Sequence, residues 1–197
     1  MPKKSSLPYL IVLICIFQAM LLSYPQKTTA REAENSDTDR WAILTGYGSS
    51  HPGWGETETR VETIDLALRR KIVIFEDMGK SWYSGSHSLL IELPLHFLLD
   101  YDTPMAGINF LANYTFSAFA LQPYVFAGGG PVYVDADIPG MGSDWNGNYQ
   151  IGFGIQFPMK NDHTFFVETR YHHISNGGIE EPNVPLNSAK FLVGLTF

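Results

Sequence analysis

Three stretches of the chain alternate between apolar and polar residues, and this period of two constrains the fold more than any other feature. Over 89–99 every odd position is Leu, Ile or Phe, whereas Glu92 and His96 occupy the other face. Residues 108–116 and 149–157 repeat the pattern. Successive side chains of a strand point to opposite faces, so each stretch predicts a β-strand with one apolar and one polar face.

The pattern extends to eight candidate strands separated by turn-rich pieces. They are 41–49, 59–75, 86–99, 106–117, 121–136, 145–159, 163–176 and 187–197. Each is on the order of 10 residues long, which is the length that crosses a bilayer when tilted, and an even number suits a closed barrel. Only Arg70 breaks an apolar face near its middle, and we expect its strand to run beyond the bilayer.

Two architectures fit eight alternating strands. In a soluble β-sandwich or lipocalin-like barrel the apolar face fills the interior, whereas in a membrane barrel it meets lipid and the polar face packs inside. The apolar faces here are bulky, and the opposite faces carry Glu, His, Gln, Arg and Asn. This favours an all-β fold, an eight-stranded antiparallel transmembrane β-barrel.

Both ends of the chain favour export to the outer membrane. Lys3 and Lys4 precede an apolar core over 10–22, and small residues follow at 28–30, which predicts a signal peptide over 1–30. The alternative is an uncleaved anchor, but Pro25 and a polar, acidic segment follow directly. We therefore expect a short N-terminal segment over 31–40 and a barrel domain over 41–197. The final strand ends in Phe197, as is typical of bacterial outer-membrane barrels.

Charge and cysteine content exclude several classes of function. No basic cluster is present that would follow a phosphate backbone, so we expect no nucleic-acid partner. Removal of residues 1–30 would shift the net charge from −7 to −10, because that segment holds three Lys and no acidic residue. An acidic barrel binds an anionic glycolipid only through local Lys or Arg or through bridging divalent cations. Cys15, the only cysteine, lies in the predicted signal, so no disulfide is expected.

One segment near the C-terminus combines strand alternation with a His-x-Ser sequence. Its polar members Glu168, Arg170 and His172 are expected in the lumen, paired with one another. The opposite parity places His173 and Ser175 on the lipid face, about 6.6 Å apart along the strand and within reach of a hydrogen bond. An ionisable His is costly on that face in a purely structural role. The alternative is that alternation ends here and leaves the pair in a solvated loop.

A catalytic pair needs a third group that orients the imidazole. Asn187 shares the outward parity of the last strand, and the connection over 177–186 would return the chain so that Asn187 lies near His173. Glu180 and Glu181, in the same connection, are the alternatives. The backbone N–H groups of the Gly-Gly pair at 177–178 are candidates to stabilise an oxyanion.

At these residues the sequence resembles a known family. The run from His173 to Ile179, HISNGGI, followed by Pro182-Asn183, is similar to the signature of PagL-type lipid A deacylases, in the acyloxyacyl-hydrolase-like family. Residues 89–94 and 128–133 also resemble that family. The resemblance covers most of the chain from about residue 41, and its specificity lies mainly in 172–188.

The resemblance implies an outer-membrane serine esterase that removes the ester-linked acyl chain at the 3-position of lipid A. It implies Ser175 as nucleophile, His173 as general base, and Asn176 and the backbone of Gly178 as oxyanion donors. At Asn187 the sequence departs from the well-known members, which place a Glu there. Either Asn187 or one of Glu180 and Glu181 would then complete the triad.

The expected setting follows from the strand order. With both termini in the periplasm, the seventh strand runs outward, so the His-Ser pair approaches the outer rim of the bacterial outer membrane. Lipid A of lipopolysaccharide occupies the outer leaflet there, and outer-membrane lipid surrounds the barrel. Such a site needs no metal and no cofactor. The alternatives are a non-catalytic barrel and a phospholipase that uses the same pair.

Overall fold

The computed structural model describes residues 40–197, and the predicted signal peptide lies outside the described residues. Within that range the chain is almost entirely extended. The strands are β1 (Arg40–Ser50), β2 (Glu62–Met78), β3 (Gly85–Leu98), β4 (Pro104–Gly107), β5 (Asn109–Phe116), β6 (Gln122–Val134), β7 (Trp145–Pro158), β8 (Thr164–Ser175) and β9 (Leu186–Thr196). The described part has one short 3₁₀ helix, Ser81–Tyr83. No helix of residues 40–197 is long and apolar enough to span a membrane.

The strands close into a barrel. Neighbouring strands pair antiparallel throughout, and β9 pairs with β1, with Phe191 opposite Tyr47. β4 and β5 together form one barrel strand, since both pair with β3 on one side and β6 on the other. The predicted eight-stranded antiparallel barrel is therefore confirmed. Connections 51–61, 99–103, 135–144 and 176–185 lie at one end, the loop end.

The interruption between β4 and β5 was not expected over 106–117. The register brings Pro131 opposite Ile108, and the Ile108 N–H donates to the Pro131 carbonyl at 3.1 Å. Proline has no N–H to return a hydrogen bond, so the ladder is interrupted at that pair. The register is the same on both sides of the break, and the barrel wall continues through it.

The outer surface is apolar, as the alternation predicted. Its large exposed side chains include Ile43, Leu66, Leu93, Phe97, Phe110, Val125, Ile151, Phe153, Phe191 and Leu195. Arg70, which breaks this pattern, faces outward with its guanidinium 5.5 Å from the centre of the Trp41 indole. An arginine that lies over an aromatic face covers its stem with apolar surface and keeps its charge at the edge of the lipid region.

The lumen is filled by layers of side chains. Inward residues of β8 show the order: buried Phe166 near the C-terminus, then three polar residues, then buried Ile174 beneath the loops. Phe166 belongs to one apolar cluster and Ile174 to a second. The sequence predicted a polar interior, but apolar residues of the inward parity also fill it.

A ring of buried charges holds the middle of the lumen. The Arg69 Nε–H donates to Glu92 at 2.6 Å, and its Nη2 donates to Glu168 at 2.9 Å. Arg170 donates to Glu92 at 2.8 Å and to Glu168 at 2.6 Å. The Tyr124 hydroxyl adds a bond to Glu168 at 2.7 Å. Two arginines and two glutamates thus balance one another inside the barrel.

His172 faces the lumen as predicted but does not join the Glu168–Arg170 pair. Within the described chain neither of its ring nitrogens makes a hydrogen bond, and its ring lies 5.5 Å from that of His96. Glu168 instead accepts from the two arginines and from Tyr124.

Candidate active site

The alternation of β8 continues without a break to its last residue. His172 and Ile174 are buried in the lumen, whereas His173 and Ser175 are half-buried on the outer face. The predicted pair therefore lies on the lipid-facing wall at the loop end, not in a loop. The closed barrel lies behind both side chains, with the ring of buried charges in its lumen.

The His173 imidazole bridges Ser175 and Asn187. Its Nε2 lies 3.0 Å from Ser175 Oγ, and its Nδ1 lies 2.7 Å from Asn187 Oδ1. An amide oxygen only accepts, so Nδ1 carries the proton and Nε2 has the lone pair that faces the hydroxyl. This is the tautomer that a general base requires in order to take a proton from serine.

Asn187 reaches this position through strand register. It lies directly opposite His173 in the β8–β9 ladder, and its side chain is buried. Besides His173, its Oδ1 accepts a bond from the Tyr171 hydroxyl at 2.5 Å. Its Nδ2 donates to the Trp54 carbonyl at 2.8 Å and to Thr57 Oγ1 at 2.9 Å.

The wall beside the pair has an aromatic side and an open side. Tyr149 lies opposite His173 on β7, and the two rings stack with centroids 4.3 Å apart. Gly147 lies opposite Ser175, and a Cβ built there would meet only the Ser175 carbonyl, at 3.8 Å. The outer face beside the serine hydroxyl is therefore open to a molecule that approaches from the lipid.

The connection 176–185 folds over the loop end beside Ser175. Asn176 is buried, its Nδ2 donates to the Glu180 carbonyl at 2.7 Å, and its Oδ1 accepts from the Gly178 N–H at 2.9 Å. Asn176 and Gly178 were the predicted oxyanion donors. The Gly178 N–H and one of the two Asn176 amide protons are thus already bonded within this connection. Glu180 and Glu181 are exposed, and neither supplies the partner of His173, because Asn187 and Ser175 occupy both ring nitrogens.

The remaining loops at this end are acidic. Their carboxylates are Glu56, Glu58, Asp100, Asp102, Asp135, Asp137 and Asp144, in addition to those of 176–185, and Arg60 is their one Lys or Arg residue. Its Nη2 lies 2.8 Å from Glu62. Within residues 40–197, no cluster of three or more His, Cys, Asp or Glu is placed to hold a metal ion.

Comparison with known proteins assigns the chain to a family. The model of the family described as Lipid A 3-O-deacylase (PagL) matches residues 62–196. The chain belongs to the PagL family. Proteins of this family are bacterial outer-membrane barrels, and so is this chain.

Solved structures show the same barrel as this PagL-family chain. The crystal structure of the outer membrane enzyme PagL matches with a TM-score of 0.52 at 22% identity, over 80% of this chain and 98% of that chain. The crystal structure of Neisserial surface protein A (NspA) matches with a TM-score of 0.57 at 12% identity, over 80% and 95%. No curated protein matches the sequence.

Several residues around the PagL-family signature were not identified from the sequence. Tyr171 has the lipid-facing parity of β8 and was not singled out, and Trp54 and Thr57 lie in the β1–β2 connection, 130 or more residues before Asn187. Only the closure of β9 on β1 brings that connection to the site. No local pattern in the sequence marks these three positions.

Proposed function

We propose that this PagL-family chain is a serine esterase that removes the 3-position acyl chain of lipid A. The observation that supports the proposal most directly is the hydrogen-bonded row Asn187–His173–Ser175 on the lipid-facing wall. A nucleophile there meets an ester that lies within the bilayer leaflet, without removing the lipid from the membrane.

Each member of the row has one task. Ser175 Oγ attacks the ester carbonyl while His173 Nε2 takes the hydroxyl proton, and the imidazolium then returns that proton to the departing sugar oxygen. The acyl chain stays on Ser175 until water, deprotonated by the same nitrogen, attacks its carbonyl; the fatty acid then leaves as the imidazolium returns the proton to Ser175 Oγ. Lipid A leaves with a free 3-hydroxyl group.

Asn187 and Asn176 support the charged species. The amide oxygen of Asn187 holds the Nδ1–H and so fixes the ring and its tautomer, although it stabilises the imidazolium less than a carboxylate does. The Asn176 amide has two protons and its bond to Glu180 uses one, so the other is available to the oxyanion. The Gly178 N–H holds that amide in place through Oδ1.

The orientation of the barrel in the membrane brings the site to its substrate. Termini in the periplasm put the loop end at the cell surface, so Ser175 lies at the level of the outer leaflet, which contains lipid A. The acyl ester reaches the serine past Gly147, where the wall is open. The chemistry needs water and lipid but no metal or cofactor.

The test is the mass of lipid A from cells that express the wild type or Ser175→Ala. We expect the wild type to remove one hydroxyacyl chain and Ser175→Ala to remove none. Ser49→Ala is the matched control, because Ser49 is a half-buried serine of β1 at the same end and its hydroxyl bonds to the neighbouring Ser50 carbonyl. It should retain wild-type activity.

Two results would overturn the proposal in different ways. Unchanged lipid A in wild-type cells, with a folded barrel in the outer membrane, would favour a non-catalytic barrel. Lysophospholipid in the extracts, with intact lipid A, would instead indicate a phospholipase that uses the same pair.

A further inference from the structure

We infer that the β1–β2 connection and Tyr171 are positioning elements of the catalytic row, which lock the Asn187 amide with its oxygen toward His173. This inference rests on the proposed function for its kinetic consequences but not for its geometry. The three groups involved are the Trp54 carbonyl, the Thr57 hydroxyl and the Tyr171 hydroxyl.

The Trp54 carbonyl decides which way the amide faces. It only accepts hydrogen bonds, and it lies 2.8 Å from the Asn187 side-chain nitrogen. A flipped amide would set two oxygens against each other at that distance and would turn an NH₂ group toward the protonated nitrogen of His173. Both contacts would be repulsive, so only one orientation is satisfied.

Thr57 reinforces the same orientation. Its hydroxyl donates to the Pro185 carbonyl at 2.9 Å and accepts both the backbone N–H and the side-chain Nδ2–H of Asn187, each at 2.9 Å. Because the hydroxyl proton is committed to Pro185, the oxygen is left to accept. Thr57 is buried, so water does not compete for these bonds.

Tyr171 completes the set from the other side. Its hydroxyl donates to Asn187 Oδ1, which also accepts from His173 Nδ1. The amide therefore makes two bonds as acceptor and two as donor, which is its full capacity. An amide with every bond satisfied is fixed, and a fixed amide holds the imidazole in one tautomer.

We call these bonds from Trp54, Thr57 and Tyr171 the lock. The lock also bears on position 187, where well-known PagL members have a Glu and this chain has Asn. A carboxylate at 187 would place an oxygen against the Trp54 carbonyl and lose that bond. The β1–β2 connection of this chain thus presents an acceptor that an amide at position 187 can satisfy and a carboxylate cannot.

The experiment compares two lock variants with matched controls. Thr57→Val and Tyr171→Phe each remove one hydroxyl of the lock, and Thr57→Ser keeps it. Thr59→Val is the loop control, because the Thr59 hydroxyl bonds to the Pro139 carbonyl away from the row. Tyr114→Phe is the tyrosine control, because its hydroxyl bonds to the Tyr83 carbonyl at the opposite end of the barrel.

Two readouts are measured on the folded full-length barrel. The first is kcat and KM for deacylation of lipid A in mixed micelles. The second is the ¹⁵N spectrum of the histidine-labelled protein, with the His173 signals assigned by their loss in His173→Gln. The spectrum reports the tautomer with no substrate present and separates a positioning role from a merely structural one.

We expect Thr57→Val and Tyr171→Phe to lower kcat about tenfold, the value of one hydrogen bond, with little change in KM. In both, the His173 signals should move from a single Nδ1–H tautomer toward the average of two. Thr57→Ser and both controls should keep the wild-type values. Wild-type kcat and a single tautomer in both lock variants would overturn the inference. If the wild type deacylates nothing, the proposed function fails, while the spectra still decide the inference.

Discussion

Arg170→Met tests whether the buried charge ring stabilises the barrel wall on which the proposed catalytic row lies. Arg170 donates to Glu92, Glu168 and Gln150 from inside the lumen, three positions before His173 on the same strand. Methionine fills similar space without charge, and it leaves Arg69 as the one arginine shared by two glutamates. Removal of one partner from a buried ion pair costs about 3–5 kcal/mol, so we expect a loss of that size in the free energy of unfolding.

The assay is urea unfolding of the barrel in phospholipid vesicles, followed by tryptophan fluorescence. The second variant, Arg170→Met combined with Glu92→Met, restores the balance of one arginine and one glutamate. Because it removes both members of a pair, it should be more stable than Arg170→Met alone. Activity per folded molecule should stay near that of the wild type, since the proposed catalytic side chains lie on the other face of the wall.

The reasoning fails if the losses simply add. A double variant less stable than Arg170→Met would mean that Arg170 and Glu92 are not coupled, and that the ring is not a balanced set of charges. Loss of activity in a fully folded Arg170→Met barrel would instead link the lumen to the chemistry outside it.

Three further predictions concern the lipid-facing wall and the acidic loops. Gly147→Val should lower deacylation about a hundredfold by displacing the ester beside Ser175, and full activity with unchanged kinetics would show that the lipid approaches elsewhere. Ile151→Arg, in the middle of the lipid face, should destabilise the barrel by ~2–4 kcal/mol, and Trp145→Arg, at the loop end, by ~1 kcal/mol at most. Equal losses in urea titrations would contradict the different bilayer depths of these two residues. Mg²⁺ should raise, and a chelator lower, the deacylation rate in lipid A vesicles, because the acidic loops repel the phosphates unless cations bridge them; a rate insensitive to both would refute this.

The sequence predicted the barrel because period-two alternation is a local property. Each strand shows its apolar face within about ten residues, and β8 keeps its parity as far as Ser175, so the outward placement of the His-Ser pair could be inferred. The break at Ile108 could not, because it depends on Pro131 standing opposite in the folded register. Inward apolar residues were also missed, since alternation does not say how a lumen is filled.

The third member of the row shows the same limit. Parity and the length of the connection predicted that Asn187 would come near His173, but they left Glu180 and Glu181 open. Only the register, which sets Asn187 directly opposite His173, distinguishes between them. Two of the groups that hold Asn187, the Trp54 carbonyl and the Thr57 hydroxyl, come from the first hairpin, and no sequence pattern shows which hairpin the last strand will meet.

Closure of β9 on β1 decides when the proposed catalytic row can be complete. Ser175, His173 and Asn187 belong to the last hairpin, whereas Thr57 and the Trp54 carbonyl belong to the first. Neither hairpin can form these bonds alone, because they require the pairing of β9 with β1. In a chain whose β9 is not paired with β1, the Asn187 amide would lack its bonds to Trp54 and Thr57 and would be free to rotate. The geometry of the proposed catalytic row is therefore complete only in the closed barrel.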